Sequence, residues 1–182
     1  MGTRLIAERG VDGVNSNVIA RAARVGVGTF YGHFADKHAL HRAAVAAAVD
    51  GLQSALASRA ASSGAQASVD EQVRGLVEAA VGWAQSHPEP FRLAFGRSPR
   101  SSASGGPGLG LSSHGIEVRL AALQRAGRLD AGVDPGLAAR AFISMQTSVI
   151  VWWLEASERP PREKLVETLV RLHPAIACRP IG

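Results

Sequence analysis

The sequence predicts an all-α protein. A small N-terminal helix-turn-helix unit, residues 1–36, precedes a larger helical domain, residues 37–182, with about nine helices in total. Three observations carry this reading. Apolar residues recur at spacings of three and four along most of the chain. Period-two alternation of Val, Ile and Thr between hairpin turn pairs is missing. Each break between apolar stretches carries helix punctuation: Asp, Ser or Pro at a start, Gly at a stop.

Taken in order, Thr3 to Arg9 forms a short first helix that stops at Gly10. Ser16 to Ala23 forms a second, with Asn15 or Ser16 as N-cap. Val27 to His33 is the third, after a break at Arg24-Val25-Gly26. Asp36 caps a long fourth helix reaching Arg59, in which Leu40, Ala44, Ala48, Leu52 and Ala55 recur at helical spacing. Ala60 to Ser68 is small and polar and reads as a linker. The fifth helix, Val69 to Ser86, puts Val73, Leu76, Val77, Ala80 and Trp83 on one face. His87-Pro88-Glu89-Pro90 ends it and opens a sixth that carries Phe91, Leu93 and Phe95. Ser98 to Ser112 is rich in Gly and reads as a long loop. A seventh helix, Ser113 to Ala126, stops at Gly127. Asp134-Pro135 opens an eighth, apolar on most sides, that runs to Glu155. Pro160-Pro161 opens the ninth, which ends near His173-Pro174.

Composition narrows the function classes. With 182 residues, 46% of them apolar, the chain can bury a core without cross-links. Its one cysteine, Cys178, excludes an intramolecular disulfide framework and a multi-cysteine metal site. The start, Met1-Gly2-Thr3-Arg4, has no apolar signal-peptide core, and the run Leu137 to Leu154 carries Arg140 and Gln146. The expectation is a cytoplasmic protein with no membrane partner. Six histidines are scattered without metal-ligand spacing, and no nucleophile–base set or Gly-Lys-Ser/Thr phosphate loop occurs. Neither an enzyme nor a cofactor or metal site is expected.

The net charge of +5 favours an anionic partner. Its distribution is uneven: Arg4, Arg9, Arg21, Arg24, Lys37 and Arg42 stand against Glu8, Asp12 and Asp36 in the first quarter of the chain. The same quarter holds the helix pair over residues 16–33. Ala20 is small where the two helices cross, and Ile19, Val25 and Phe30 are spaced to pack their inner faces. The second helix then presents Val27, Gly28, Thr29, Tyr31 and His33 outward, the geometry of a helix-turn-helix that sets its second helix in the DNA major groove.

Ile19-Ala20-Arg21-Ala22-Ala23, Val25-Gly26-Val27-Gly28-Thr29-Phe30-Tyr31-Gly32-His33-Phe34 and Asp36-Lys37-His38-Ala39-Leu40 together resemble the tetracycline-repressor (TetR) family of bacterial regulators. The close motif covers residues 4–42. The resemblance implies a dimeric repressor that reads a palindromic operator in double-stranded DNA and is released by a small-molecule effector. It implies groove contacts from Val27, Gly28, Thr29 and Tyr31, with His33 and Arg24 nearby. Phosphate contacts fall to Asn15, Ser16 and Asn17 at the start of the second helix and to Lys37 at the start of the fourth.

Three departures stand out. Arg24 occupies a turn position where the family usually has Gly, Val27 replaces a polar or basic residue, and the first helix begins near its usual middle. The last of these keeps a rival expectation open: a helical small-molecule-binding or dimerisation protein that has lost DNA binding.

In the larger domain, Trp83, Phe91, Phe95, Leu120, Met145, Val149 and Trp153 are expected to line a largely apolar effector pocket. Gln146, His114 and Arg119 are the polar groups able to orient a ligand there. The Gly105–Gly110 stretch and the His87–Pro90 break flank it in sequence. The dimer interface is expected on the last two helices, through Val149, Trp152, Leu165, Leu169 and Leu172.

Overall fold

A computed structural model describes residues 2–64, 66–96 and 113–178. The described residues form helices α1 (Gly2–Arg9), α2 (Ser16–Ala23), α3 (Val27–His33), α4 (Lys37–Ala61), α5 (Val69–Ser86), α6 (Pro88–Phe95), α7 (His114–Arg125), α8 (Pro135–Glu155), α9 (Arg162–Arg171) and α10 (Pro174–Ala177), with a single 3-10 turn at Val11–Gly13. The loop expected over residues 98–112, including Gly105–Gly110, lies outside the described residues.

Local chemistry sets the boundaries. Gly10 and Gly127 both take the positive φ that ends a helix cheaply only in glycine, at 72° and 67°. Asp36 and Asp134 each accept a hydrogen bond from the third backbone N–H beyond them, at 2.6 and 2.7 Å. Ser68 and Glu71 form a reciprocal capping box at the start of α5. The tenth helix was not expected. His173 is an uncommon N-cap, yet its Nδ1 accepts from the Ala175 N–H at 3.1 Å and Pro174 occupies the first helical position. What read as the end of the ninth helix leads into a turn that folds back onto α7 and α8.

The core forms around α4 and α5, which pack along each other, with α6 closing on both. The buried residues Val45, Val49 and Leu52 of α4 meet a layer of α5 built from Val73, Val77 and Val81. α7 and α8 pair beside them, and α9 lies on α5. Arg92 fastens α6 to the end of α8: its Nη2 donates to the Leu154 carbonyl at 3.3 Å, and its Nε lies 3.4 Å from Glu155. α1 packs on α6 as well as on α2 and α4, so the N-terminal helices rest on the same elements that build the core.

α8 is 21 residues long and apolar enough to cross a membrane by length and composition. Its Phe142, Ile143, Thr147, Ile150 and Trp153 are instead buried against neighbouring helices.

Gly51 is where α4 and α5 approach most tightly around an aromatic ring. A Cβ there would lie 2.9 Å from Cζ2 of Trp83. Gly51→Ala therefore forces the indole to shift, and the overpacking outweighs the roughly 1 kcal/mol gained from better helix propensity. The expected result in urea unfolding is a net loss of about 1 kcal/mol.

Candidate nucleic-acid interface and buried cavity

The α2–α3 pair is held together by very few side chains. Ile19, Ala20 and Phe30 are buried, and Phe30 is the one buried residue of α3. Phe30 meets Tyr31 edge-on at 5.3 Å and Phe34 at 5.9 Å between ring centroids. Asn15 is the N-cap of α2, accepting from the Val18 N–H at 2.9 Å. In the turn, Arg24 sits in the left-handed region at φ 59° and ψ 36°, and the Val25 N–H reaches back to the Ala20 carbonyl at 3.0 Å. The arginine accepts the conformation for which glycine is the default residue, at a cost of about 1 kcal/mol.

The rest of α3 is open. Val27, Gly28, Thr29, Tyr31, Gly32 and His33 are exposed, Tyr31 by 52% of its surface. A Cβ added at Gly28 or Gly32 would meet nothing within 4 Å. Each glycine inside a helix costs about 1 kcal/mol against alanine. Packing within the chain demands neither of them.

Asn15, Ser16, Asn17, Tyr31, Asp36, Lys37 and His38 come together around one polar concavity where α2, α3 and α4 meet. It gathers five of the residues expected to touch DNA. Arg24, Val27, Gly28, Thr29 and His33 lie outside its lining, on the exposed surface of the same helix pair. The Asp36 carboxyl is held below its usual range, chiefly by the Ala39 backbone N–H. Lys37 has a structural task that the sequence did not reveal: its Nζ donates to the Val14 carbonyl at 3.2 Å, tying the start of α4 to the segment before α2.

The second site is a cavity of about 480 Å³, within the range of small-molecule pockets. Leu52, Leu56 and Ala60 of α4, Leu76 and Val77 of α5, and Phe91 of α6 form its apolar walls. His114 and Arg119 of α7, Gln146 and Thr147 of α8, and His173 before α10 supply the polar groups. Four of the residues expected from sequence thus line it: Phe91, His114, Arg119 and Gln146.

The other six lie elsewhere, each for a packing reason. Trp83 turns toward Gly51 and stacks on His87 at 4.7 Å. Phe95 packs against Phe91 at 4.8 Å, and Leu120 is fully buried in the core. Trp153 donates its Nε1–H to the Pro160 carbonyl at 2.7 Å beneath the Arg159 guanidinium. Met145 and Val149 are half-buried, packed against the core, and stay outside the lining.

The lining residues that sequence reasoning missed include Leu52, whose helical spacing had marked it as core, Leu56, and His173, which had marked the end of the last helix. Among the five residues expected at a dimer interface, Leu165 and Leu169 are buried within the protomer, on a helix that packs on α5. An amphipathic helix satisfies its Leu stripe on its own chain first. Val149 is half-buried, whereas Trp152 and Leu172 are about half exposed, at 53% and 50%.

Residues 2–44 match the model of the bacterial regulatory proteins of the tetR family. No curated protein matches the chain. Among solved structures, a member of the TetR transcriptional regulator family from Streptomyces coelicolor A3 is 22% identical, with a TM-score of 0.65 over 96% of this chain and 88% of that one. The regulator AibR, solved in complex with isovaleryl coenzyme A and operator DNA, is 20% identical, with a TM-score of 0.71 over 95% of this chain and 94% of that one. The fatty acid degradation regulator FadR from Bacillus halodurans is 19% identical, with a TM-score of 0.69 over 94% and 89%. At these identities the likeness is one of fold.

Burial, and behind it the Arg119 charge, push His173 down to about 4. The folded state thus holds this imidazole neutral while the unfolded chain takes up a proton near pH 6.5. Stability that is complete above pH 6.5 is lost as pH falls toward 4, by roughly 3 kcal/mol from this residue. His173→Asn keeps a capping oxygen for Ala175 and removes the titration. Urea unfolding across pH 4 to 7 should therefore show a flatter profile in the variant than in the wild type.

Proposed function

Because residues 2–44 match the model of the tetR family of bacterial regulatory proteins and the whole chain has the fold of such regulators, we propose that this protein is a dimeric DNA-binding transcriptional regulator. In this reading it represses, and a small effector bound in the cavity releases it from a palindromic operator. The observation that carries the reading is the state of α3. It is a seven-residue helix anchored through Phe30 alone, with two glycines that nothing in the chain requires. A surface so lightly invested in its own core suits insertion into a groove, where the missing Cβ atoms let a backbone come close.

The residue roles follow from position. Thr29 and Tyr31 project from α3 toward base edges and phosphate, with Val27, Gly28 and His33 beside them. Asn15, Ser16, Asn17 and Lys37 border the polar concavity on the side of α2 and α4, where a backbone phosphate fits. We assign residues 1–36 to DNA binding and 37–182 to effector binding and dimerisation. A second copy of the chain covers the exposed Trp152 of α8 and Leu172 at the end of α9, and so sets two α3 helices about one DNA turn apart, roughly 34–36 Å.

Coupling runs through α4 and α6. Both wall the cavity, and both touch α1. A ligand that fits one arrangement of these helices better than another shifts the population between DNA-binding and released states by its difference in affinity for the two. The AibR complex, holding an acyl thioester and DNA on a similar fold, supports a two-ligand reading.

Selection of bound fragments from random DNA tests the proposal. The expected product is a palindromic consensus, and a chain that enriches nothing would favour the reading in which DNA binding is lost. On the selected operator, Thr29→Ala and Tyr31→Phe should each weaken binding by about 1–3 kcal/mol with the fold intact, as measured by fluorescence anisotropy. Trp152→Glu should convert the dimer to a folded monomer in sedimentation velocity and lower operator affinity with it. A Trp152→Glu protein that remains dimeric would place the interface elsewhere.

A further inference from the structure

The cavity is not uniformly greasy. Gln146 is only 6% exposed, lines the cavity, and makes no hydrogen bond to another described residue, so a buried carboxamide borders the space without a partner among the described residues. Arg119, half-buried on α7, also lines it, and its guanidinium donates to a neutral acceptor, Oε1 of Gln72. Among the described residues lining the cavity there is no Asp or Glu. A desolvated guanidinium is normally balanced by a carboxylate, and this one is not balanced by the wall around it. His173 adds a third polar group. Its Nδ1 is occupied as the acceptor from Ala175, which leaves the neutral ring with its proton on Nε2. Gln53, His114 and Thr147 also line it, and the other walls are apolar.

We propose that the occupant of this cavity is an anionic amphipath, a single carboxylate on an apolar body, with the carboxylate paired to Arg119 and the Gln146 amide donating to the same head. This rests on the effector reading above and adds the chemical class of the ligand. A carboxylate matches Arg119 in geometry, since the planar fork accepts two oxygens side by side. It also matches in charge: the described residues of the lining hold one permanent cation, whereas a phosphate monoester would bring nearly two negative charges. The apolar body takes the space between α4, α5 and α6.

Isothermal titration of the wild-type protein with decanoate and with decan-1-ol, which differ only in the head, tests this. Decanoate should bind at least tenfold more tightly than decan-1-ol. Arg119→Gln should bring the two within threefold by weakening decanoate alone, with decan-1-ol affinity reporting that the cavity is intact. Arg119→Lys should retain part of the preference. Gln146→Leu should weaken decanoate while strengthening or sparing decan-1-ol. Equal affinities in the wild type, or a preference that survives Arg119→Gln, would overturn the assignment of the head while leaving an effector cavity in place. Failure of both compounds to bind would overturn the assignment and remove the effector reading as well. The wild-type comparison needs no variant to fold.

Discussion

One helix determines how everything else in this protein can be arranged. α4 runs unbroken for 25 residues, about 37 Å, and its two ends belong to different chemistry. At the first turn, Lys37 is bonded to Val14 and borders the polar concavity beside α3. About four to six turns later, Leu52, Leu56 and Ala60 form a wall of the cavity. Because a continuous helix bends little, a displacement at one end is felt at the other as a tilt rather than absorbed along the way. The capping of α4 by Asp36 and its packing on α5 and α6 are therefore conditions for any communication between the two sites.

The lightness of the N-terminal packing is the counterpart of that rigidity. α2 contributes Ile19 and Ala20 to the core and α3 contributes Phe30. So small an anchorage buries little apolar area, and the pair depends on its neighbours for a fixed orientation. α1 supplies this by lying on α6 and α4. The helix that carries the exposed residues is thus steered from below by the two helices that also enclose the cavity, and the wall residue Phe91 lies on α6 between them.

The element order was legible because each boundary carries a local chemical signature. Asp134-Pro135 and Asp36 announce helix starts, Gly10 and Gly127 announce stops, and the aromatic pair Phe30-Tyr31 with Phe34 marks the compact turn-and-helix unit. The cavity was only half legible, and the reason is geometric. A period of 3.6 tells which residues share a face but not whether that face meets another helix or an empty space. Trp83, Phe95, Leu120 and Trp153 fill space, while Leu52 and Leu56, identical in pattern to core leucines, border it. What did point correctly at the lining were polar residues out of place in an apolar setting: Gln146, Arg119 and His114. Size and aromaticity predict burial; an unexplained polar group predicts an opening. The same logic applies to α9, whose Leu165 and Leu169 read as an interface stripe and are consumed by α5 instead.

Features that work against stability are not spread evenly along this chain. Arg24 holds a left-handed backbone, Gly28 and Gly32 weaken α3 without any packing need, and most of α3 faces outward, all at one end of α4. At the other end, Gln146 is buried without a partner among the described residues, Arg119 is desolvated against a neutral amide, and His173 is kept from its proton. Each of these costs on the order of 1 kcal/mol or more in a protein whose whole stability is about 5–15 kcal/mol. Residues chosen only to fold would remove them, since leucine at 146 or alanine at 28 satisfies every contact visible within the chain. Between the two clusters, in the α4–α5–α6 core, most local rules are obeyed: α4 and α5 are capped by side chains, valine stripes interlock, and the space at Gly51 is filled by the ring of Trp83. Departures concentrated in two places, on a scaffold that mostly agrees with itself, are what is expected where a surface and a cavity are held ready for something outside the chain.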